Sequence, residues 1–212
     1  AETITPPPPP KVEPSTWSYG YGKMNVASGV VENFTPFPRY VNSAYQGGDS
    51  WPDDALGWAQ LTIDGGHPGN TLDHAVVRRW TAPEGGKINI TGRIIHEPEA
   101  GDGIMARVIS SRHGLLGAWA LHASEADGNL FGIVVEPGDT IDFEVDVKGG
   151  LNSDQFLWAP TVTREPVAEG DTVAKVWDAK KGPTENVLPV PMTPWEKYAQ
   201  VLLASNEFLF VD

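Results

Sequence analysis

Thr140-Ile141-Asp142-Phe143-Glu144-Val145-Asp146-Val147 alternates apolar and acidic side chains for most of eight residues. A period of two marks a strand, because successive side chains of an extended backbone leave opposite faces. The stretch predicts a half-buried β-strand, apolar side chains turned to a core and carboxylates turned outward. Lys87-Ile88-Asn89-Ile90-Thr91-Gly92-Arg93-Ile94 repeats the device, with Ile88, Ile90 and Ile94 on one face. Residues 75–80, 103–110, 130–135 and 156–163 read as further strands, and 61–63 and 30–34 as short edge strands. Glu136-Pro137-Gly138-Asp139 is a turn signal between two of them.

Composition agrees with this reading. Gly 23 and Pro 19 among 212 residues amount to about 20 %, against roughly 12 % on average, so turns are frequent and long helices few. Short runs separated by Gly, Pro, Asn and Asp predict an all-β fold over residues 17–165: an antiparallel, jelly-roll-like β-sandwich of about eight strands in two sheets. No repeat of 20 to 50 residues argues for a solenoid or propeller.

The two ends differ from this centre. Pro6 to Pro10 are five consecutive prolines, with Pro14 following, and such a run holds a polyproline II backbone that donates no amides. Residues 1–16 therefore read as a stiff Pro-rich linker. Residues 166–212 read as an irregular connector and a short C-terminal helix. Thr193-Pro194-Trp195-Glu196 has the N-cap Thr, first-position Pro and third-position Glu of a capping box. Trp195, Tyr198 and Leu202 then fall at helical spacing, and Phe208 opens an apolar end. These four are expected to dock on a partner.

Charge and cysteine content exclude several functions. Asp+Glu 28 against Lys+Arg 15 gives a net charge of −13, which repels nucleic-acid backbones and anionic bilayers. No run approaches the roughly 20 apolar residues of a membrane span, so no membrane insertion is expected. Cys is absent, which removes disulfides, thiolate nucleophiles, Cys-ligated metals and the attachment site for c-type haem.

Little in the chain points to catalysis. The five histidines, His67, His74, His96, His113 and His122, lack the i, i+2 or i, i+4 pairing of a transition-metal site. Ser110-Ser111-Arg112-His113-Gly114 is not a nucleophile elbow, and nothing selects a carboxylate pair for glycoside hydrolysis. The expectation is a protein that is not an enzyme. Asp49, Asp53 and Asp139, in turns rich in Gly, are the expected oxygen ligands of a structural Ca²⁺ ion.

Trp is the most informative residue type. Flat indoles stack on sugar rings while nearby polar groups bond hydroxyls, and Trp51, within Gly48-Asp49-Ser50-Trp51-Pro52-Asp53, has the flanks of an exposed side chain. Trp51, Trp58, His67, Arg112 and Trp119 are the candidate glycan-binding residues. Neutral sugars suit the acidic chain better than anionic ones, unless Arg39, Arg78, Arg79, Arg107 and Arg112 cluster.

Gly65-Gly66-His67-Pro68-Gly69, the stretch from Ala75 to Pro83, Gly101 to Arg112, and Pro137-Gly138-Asp139-Thr140-Ile141-Asp142-Phe143 resemble the carbohydrate-binding-module-like β-sandwich of planctomycete secreted proteins that carry c-type cytochrome domains. Residues 194–212 resemble the extreme C-terminus of the same multidomain proteins. The resemblance implies a non-catalytic glycan-binding module of a secreted, periplasmic or cell-surface bacterial protein. Its partners would be a polysaccharide or cell-surface glycan and the remaining domains of a larger protein. The alternative is a structural or interaction subunit, or a fragment, of a cell-surface or cytochrome-associated assembly docked through the C-terminal helix. Lacking Cys, the chain takes over no electron-transfer role.

Overall fold

The computed structural model describes residues 15–166 and 175–182. In chain order its strands are β1 (Trp17–Met24), β2 (Val31–Pro36), β3 (Arg39–Val41), β4 (Ala44–Gln46), β5 (Gln60–Thr62) and β6 (Gly65–His67). There follow β7 (Val76–Thr81), β8 (Gly86–Thr91), β9 (Arg93–His96), β10 (Ile104–Ser110), β11 (Gly114–Leu121), β12 (Ser124–Asp127), β13 (Leu130–Val135) and β14 (Thr140–Val147). β15 (Phe156–Leu157), β16 (Thr161–Arg164) and β17 (Lys175–Asp178) complete the set.

The middle eight strands pair as nested antiparallel partners: β10 with β11, β9 with β12, β8 with β13 and β7 with β14. The rest extend this frame. β1 and β2 add beyond β7, β15, β6, β5, β4 and β3 beyond β9, and β16 and β17 beyond β8. The expectation of about eight strands in two sheets thus gives way to seventeen in three sheets among the described residues, of six, seven and four strands. Three-residue strands such as β3 to β6 are too short to display a period in sequence.

One apolar core is enclosed between the six-stranded sheet and the other two. Val76 and Trp80 of β7, Ile104, Ala106 and Val108 of β10, and Ile141, Phe143 and Val145 of β14 face Ile88, Ile90, Ile94, Phe156, Trp158 and Val162. Aromatic contacts cross the layers: Tyr19 stacks on Tyr45 at 4.6 Å, Phe143 meets Trp158 edge-on at 5.4 Å, and Trp80 meets Trp177 at 5.2 Å. The alternation of β14 places its apolar side chains as expected.

Its carboxylates contradict the outward expectation. Asp142, Glu144 and Asp146 do leave the opposite face, yet they are 2 %, 0 % and 6 % exposed. The β1–β2 hairpin folds over that face, where Val31 packs with Val77 and Ile109, and the Met24 N–H donates to Glu144 Oε1 at 3.0 Å. Burial without a cation would be prohibitive. Arg79 grips Asp142 with two bonds of 2.7 and 2.8 Å, and Arg107 Nη1 lies 2.7 Å from Glu144 and 2.5 Å from Asp146. Burial pushes all three carboxyl pKa values up, while the paired arginines pull them down.

The Pro-rich linker lies outside the described residues save its last two positions, and the C-terminal helix lies outside them entirely.

Candidate functional site

Trp51, Trp58 and His67, three of the five candidate glycan-binding residues, line one cleft of about 530 Å³ with Leu151, Asn152, Ser153 and Gln155. The two indoles are perpendicular, at 89° with centroids 4.9 Å apart. They remain 40 % and 38 % exposed. The His67 ring lies 5.7 Å from Trp58 and 6.3 Å from Trp51.

The loop that carries both indoles is pinned by its own polar side chains. Asp53 Oδ1 accepts the N–H groups of Ala55 and Leu56 at 2.8 and 2.9 Å, and Asp53 and Gly57 exchange two backbone bonds of 3.0 Å. Gly57 has φ 66° and is pressed so closely by Asn70 that a Cβ there would lie 2.0 Å from Asn70 Oδ1. A left-handed conformation with no side-chain room calls for glycine. The same Asn70 oxygen accepts the Trp58 N–H at 3.3 Å, and Trp51 Nε1–H donates to the Trp58 carbonyl at 3.0 Å. At the loop's start, Gln46 Nε2 donates to the carbonyls of Gly48 and Ser50. Both indoles are therefore held before any ligand arrives, which lowers the ordering cost of binding.

His67 ends β6. The buried Arg78 fixes the preceding turn by donating to the Thr62 and Gly65 carbonyls at 2.6 and 2.7 Å; burial lowers its pKa to about 10. His67 Nδ1 is 2.7 Å from the Pro68 carbonyl. A carbonyl only accepts, so Nδ1 carries the proton. Burial pushes the His67 pKa down, while the Pro68 bond and the Asp154 charge resist.

The facing wall is the connection from β14 to β15. Asp102 Oδ1 accepts the Gly150 N–H at 3.2 Å, and His96 Nε2–H donates to the Ser153 carbonyl at 2.9 Å. Between the lining residues Ser153 and Gln155, Asp154 is 0 % exposed, and neither carboxylate oxygen has a hydrogen-bond partner of normal geometry. Burial raises its pKa; the fields of His67 and His96 and the Asn152 amide oppose the rise. The cleft thus combines aromatic surfaces, amide and hydroxyl groups, and a buried carboxyl behind its wall. Asn152, Ser153 and Gln155 escape the reading of the sequence, where their only signal is a polar turn run after Gly149-Gly150.

Two candidates lie elsewhere. Arg112, in the β10–β11 turn, donates to Asp139 at 2.6 and 3.3 Å, and Asp139 also accepts the Glu136 N–H. Trp119 of β11 turns inward and meets Trp158 at 6.3 Å. Neither lines the cleft. The three aspartates expected to hold Ca²⁺ do not come together either: Asp49 pairs with Arg39 at 3.0 Å, Asp53 caps its own loop and Asp139 holds Arg112. Among the described residues no group of three or more His, Asp or Glu could hold a metal ion. Trp195, Tyr198, Leu202 and Phe208 lie outside the described residues. No helix of the described residues is long and apolar enough to cross a membrane.

No protein-family model matches the chain, and no curated protein matches it in sequence.

Proposed function

We propose that the Trp51–Trp58 cleft binds a saccharide without transforming it, as the binding module of a secreted, periplasmic or cell-surface bacterial protein. The observation that carries this reading is the pair of perpendicular, exposed and pre-fixed indoles facing Asn152, Ser153 and Gln155 across one cleft. An indole face covers the C–H groups of a pyranose, and amides and hydroxyls match its ring oxygens and hydroxyl groups. The nested pairing of β7 to β14 supports a jelly-roll-like winding, with the cleft walls supplied by segments outside those eight strands.

Charge selects among sugars. Among the described residues no Lys or Arg lines the cleft, the Asp154 carboxyl is buried behind it, and the chain carries −13. The arginines that could have reversed this are engaged elsewhere: Arg39 with Asp49, Arg78 with backbone carbonyls, Arg79 with Asp142, Arg107 with Glu144 and Asp146, and Arg112 with Asp139. Neutral or amino sugars fit; sulfated and uronic chains are repelled.

Affinity electrophoresis through gels containing neutral, cationic and anionic polysaccharides tests the reading. Retardation is expected in a neutral or cationic gel, and Trp51→Ala or Trp58→Ala should each weaken it by about 2 kcal/mol, roughly thirtyfold in affinity, with the all-β circular dichroism spectrum retained. Folded protein that no gel retards would refute the proposal.

A further inference from the structure

Among the described residues six strands end the three sheets: β2 and β11, β3 and β12, β13 and β17. An exposed edge presents unpaired N–H and C=O groups to any passing strand, and proteins blunt such edges with charges, prolines, bulges or short length. β2 contains Glu32, ends at Pro36 and has Asn33 at φ 57°. β3 has three residues and includes Arg39; β12 carries Glu125 and Asp127; β17 carries Lys175 and Asp178. β13 is uncharged, but its pairing is interrupted between Leu130 and Ile133, and its Val134 carbonyl already accepts from His113 Nε2.

β11 differs from all of these. Gly114-Leu115-Leu116-Gly117-Ala118-Trp119-Ala120-Leu121 holds no charge and no proline. It has one irregularity, at Leu116, beyond which Gly117 to Leu121 pair with β10 in unbroken register. On its other side it pairs with no strand among the described residues. Leu115 is 46 % exposed, and β13, tied to the β10–β11 turn by the His113–Val134 bond, adds Val134 at 45 % and Phe131 at 68 %.

We propose that β11 pairs antiparallel with β11 of a second copy of this chain, joining two six-stranded sheets into one. The self-complementary register of β11 identifies the occupant, and charge leaves it room. Two copies that each carry −13 repel over most of their surfaces, and β12 would set Glu125 and Asp127 against the same acids. Along β11 no charge opposes contact, and a charged strand from another protein would find no counter-charge there. A two-fold axis at Trp119 sets Ala118 opposite Ala120 of the second copy, small residues that let the backbones reach strand spacing. On the inner face it sets the half-buried Trp119 against its equivalent, an aromatic cross-strand pair.

Sedimentation equilibrium of the full chain over a wide concentration range, at low and high salt, tests this. The expected result is a monomer–dimer equilibrium that tightens with salt, because screening removes repulsion between the acidic bodies and leaves the uncharged contact intact. Ala118→Lys should weaken the dimer at least tenfold while keeping the parental melting temperature at concentrations where both chains are monomeric, and Ala120→Lys should do the same. Val26→Lys, at a position 87 % exposed and on another strand connection, should leave it unchanged. A wild-type chain that is monomeric at every concentration, or a dimer indifferent to both edge lysines, overturns the proposal.

Discussion

Arg107→Met isolates what holds the β1–β2 hairpin over the six-stranded sheet. Arg107 Nη1 bonds both Glu144 and Asp146, at 2.7 and 2.5 Å, and the three side chains are 18 %, 1 % and 9 % exposed. Methionine fills similar space but leaves two carboxylates buried without their cation. Removing one partner from a buried ion pair costs about 3–5 kcal/mol. In a chain of this size that corresponds to a drop in Tm of roughly 10 °C. The loss should depend on pH. Burial raises the native pKa of Glu144 and Asp146 above the ordinary 4.5 and 3.8, so the native chain binds protons that the unfolded chain has released. The stability linked to those protons is fully present below the unfolded pKa values and is lost as pH rises through the native ones. Removing Arg107 raises the native values further, so the deficit should be large near pH 7.5 and shrink toward pH 4.5. Adding Glu144→Gln and Asp146→Asn should recover most of it. Thermal melts by circular dichroism give both numbers. A Tm within about 2 °C of the parent at pH 7.5, or a deficit that does not change with pH, would exclude this role for Arg107.

Trp119→Ala should lower stability by about 2 kcal/mol through lost contact with Trp158, while glycan retardation by monomeric protein stays intact; calorimetry and the affinity gel separate the two effects. Gly57→Ala forces a side chain into φ 66° against Asn70 and should cost at least about 1–2 kcal/mol, with weaker glycan binding because Trp58 is displaced. Asp154→Asn removes a buried charge whose pKa is raised in the native state. Its melting temperature should match or exceed the parent's near pH 7.5, and the advantage should fade as pH falls and the parent's carboxyl takes up its proton.

The sequence makes the frame legible where strands are long enough to show their period. The alternation in β8 and β14 assigns Ile88, Ile90, Ile141, Phe143 and Val145 to the core where the structure has them. Alternation separates two faces but cannot say what covers the second. β1 reads as Trp-Ser-Tyr-Gly-Tyr-Gly-Lys-Met, whose glycines resemble a turn, so a hairpin lying over Asp142, Glu144 and Asp146 leaves no mark in β14. The cleft is half legible for a similar reason. Trp51 stands out by its turn-like flanks, whereas Asn152, Ser153 and Gln155 reach it only through the fold, about a hundred residues later in the chain. Arg112 and Trp119 carry the chemistry of a sugar site but are engaged by Asp139 and Trp158, and sequence spacing reports neither contact.

Which indoles meet the ligand can be read directly, because the eight Trp side chains of the chain each carry one indole N–H. An amide–indole correlation spectrum of ¹⁵N-labelled protein, assigned by single Trp→Phe variants and titrated with the oligosaccharide of the polymer that retards it, reads them separately. The Trp51 and Trp58 signals should shift in a saturable way while those of the buried Trp17, Trp80 and Trp158 stay in place. Saturable shifts confined to other indoles, with Trp51 and Trp58 unmoved, would place the saccharide outside the Trp51–Trp58 cleft.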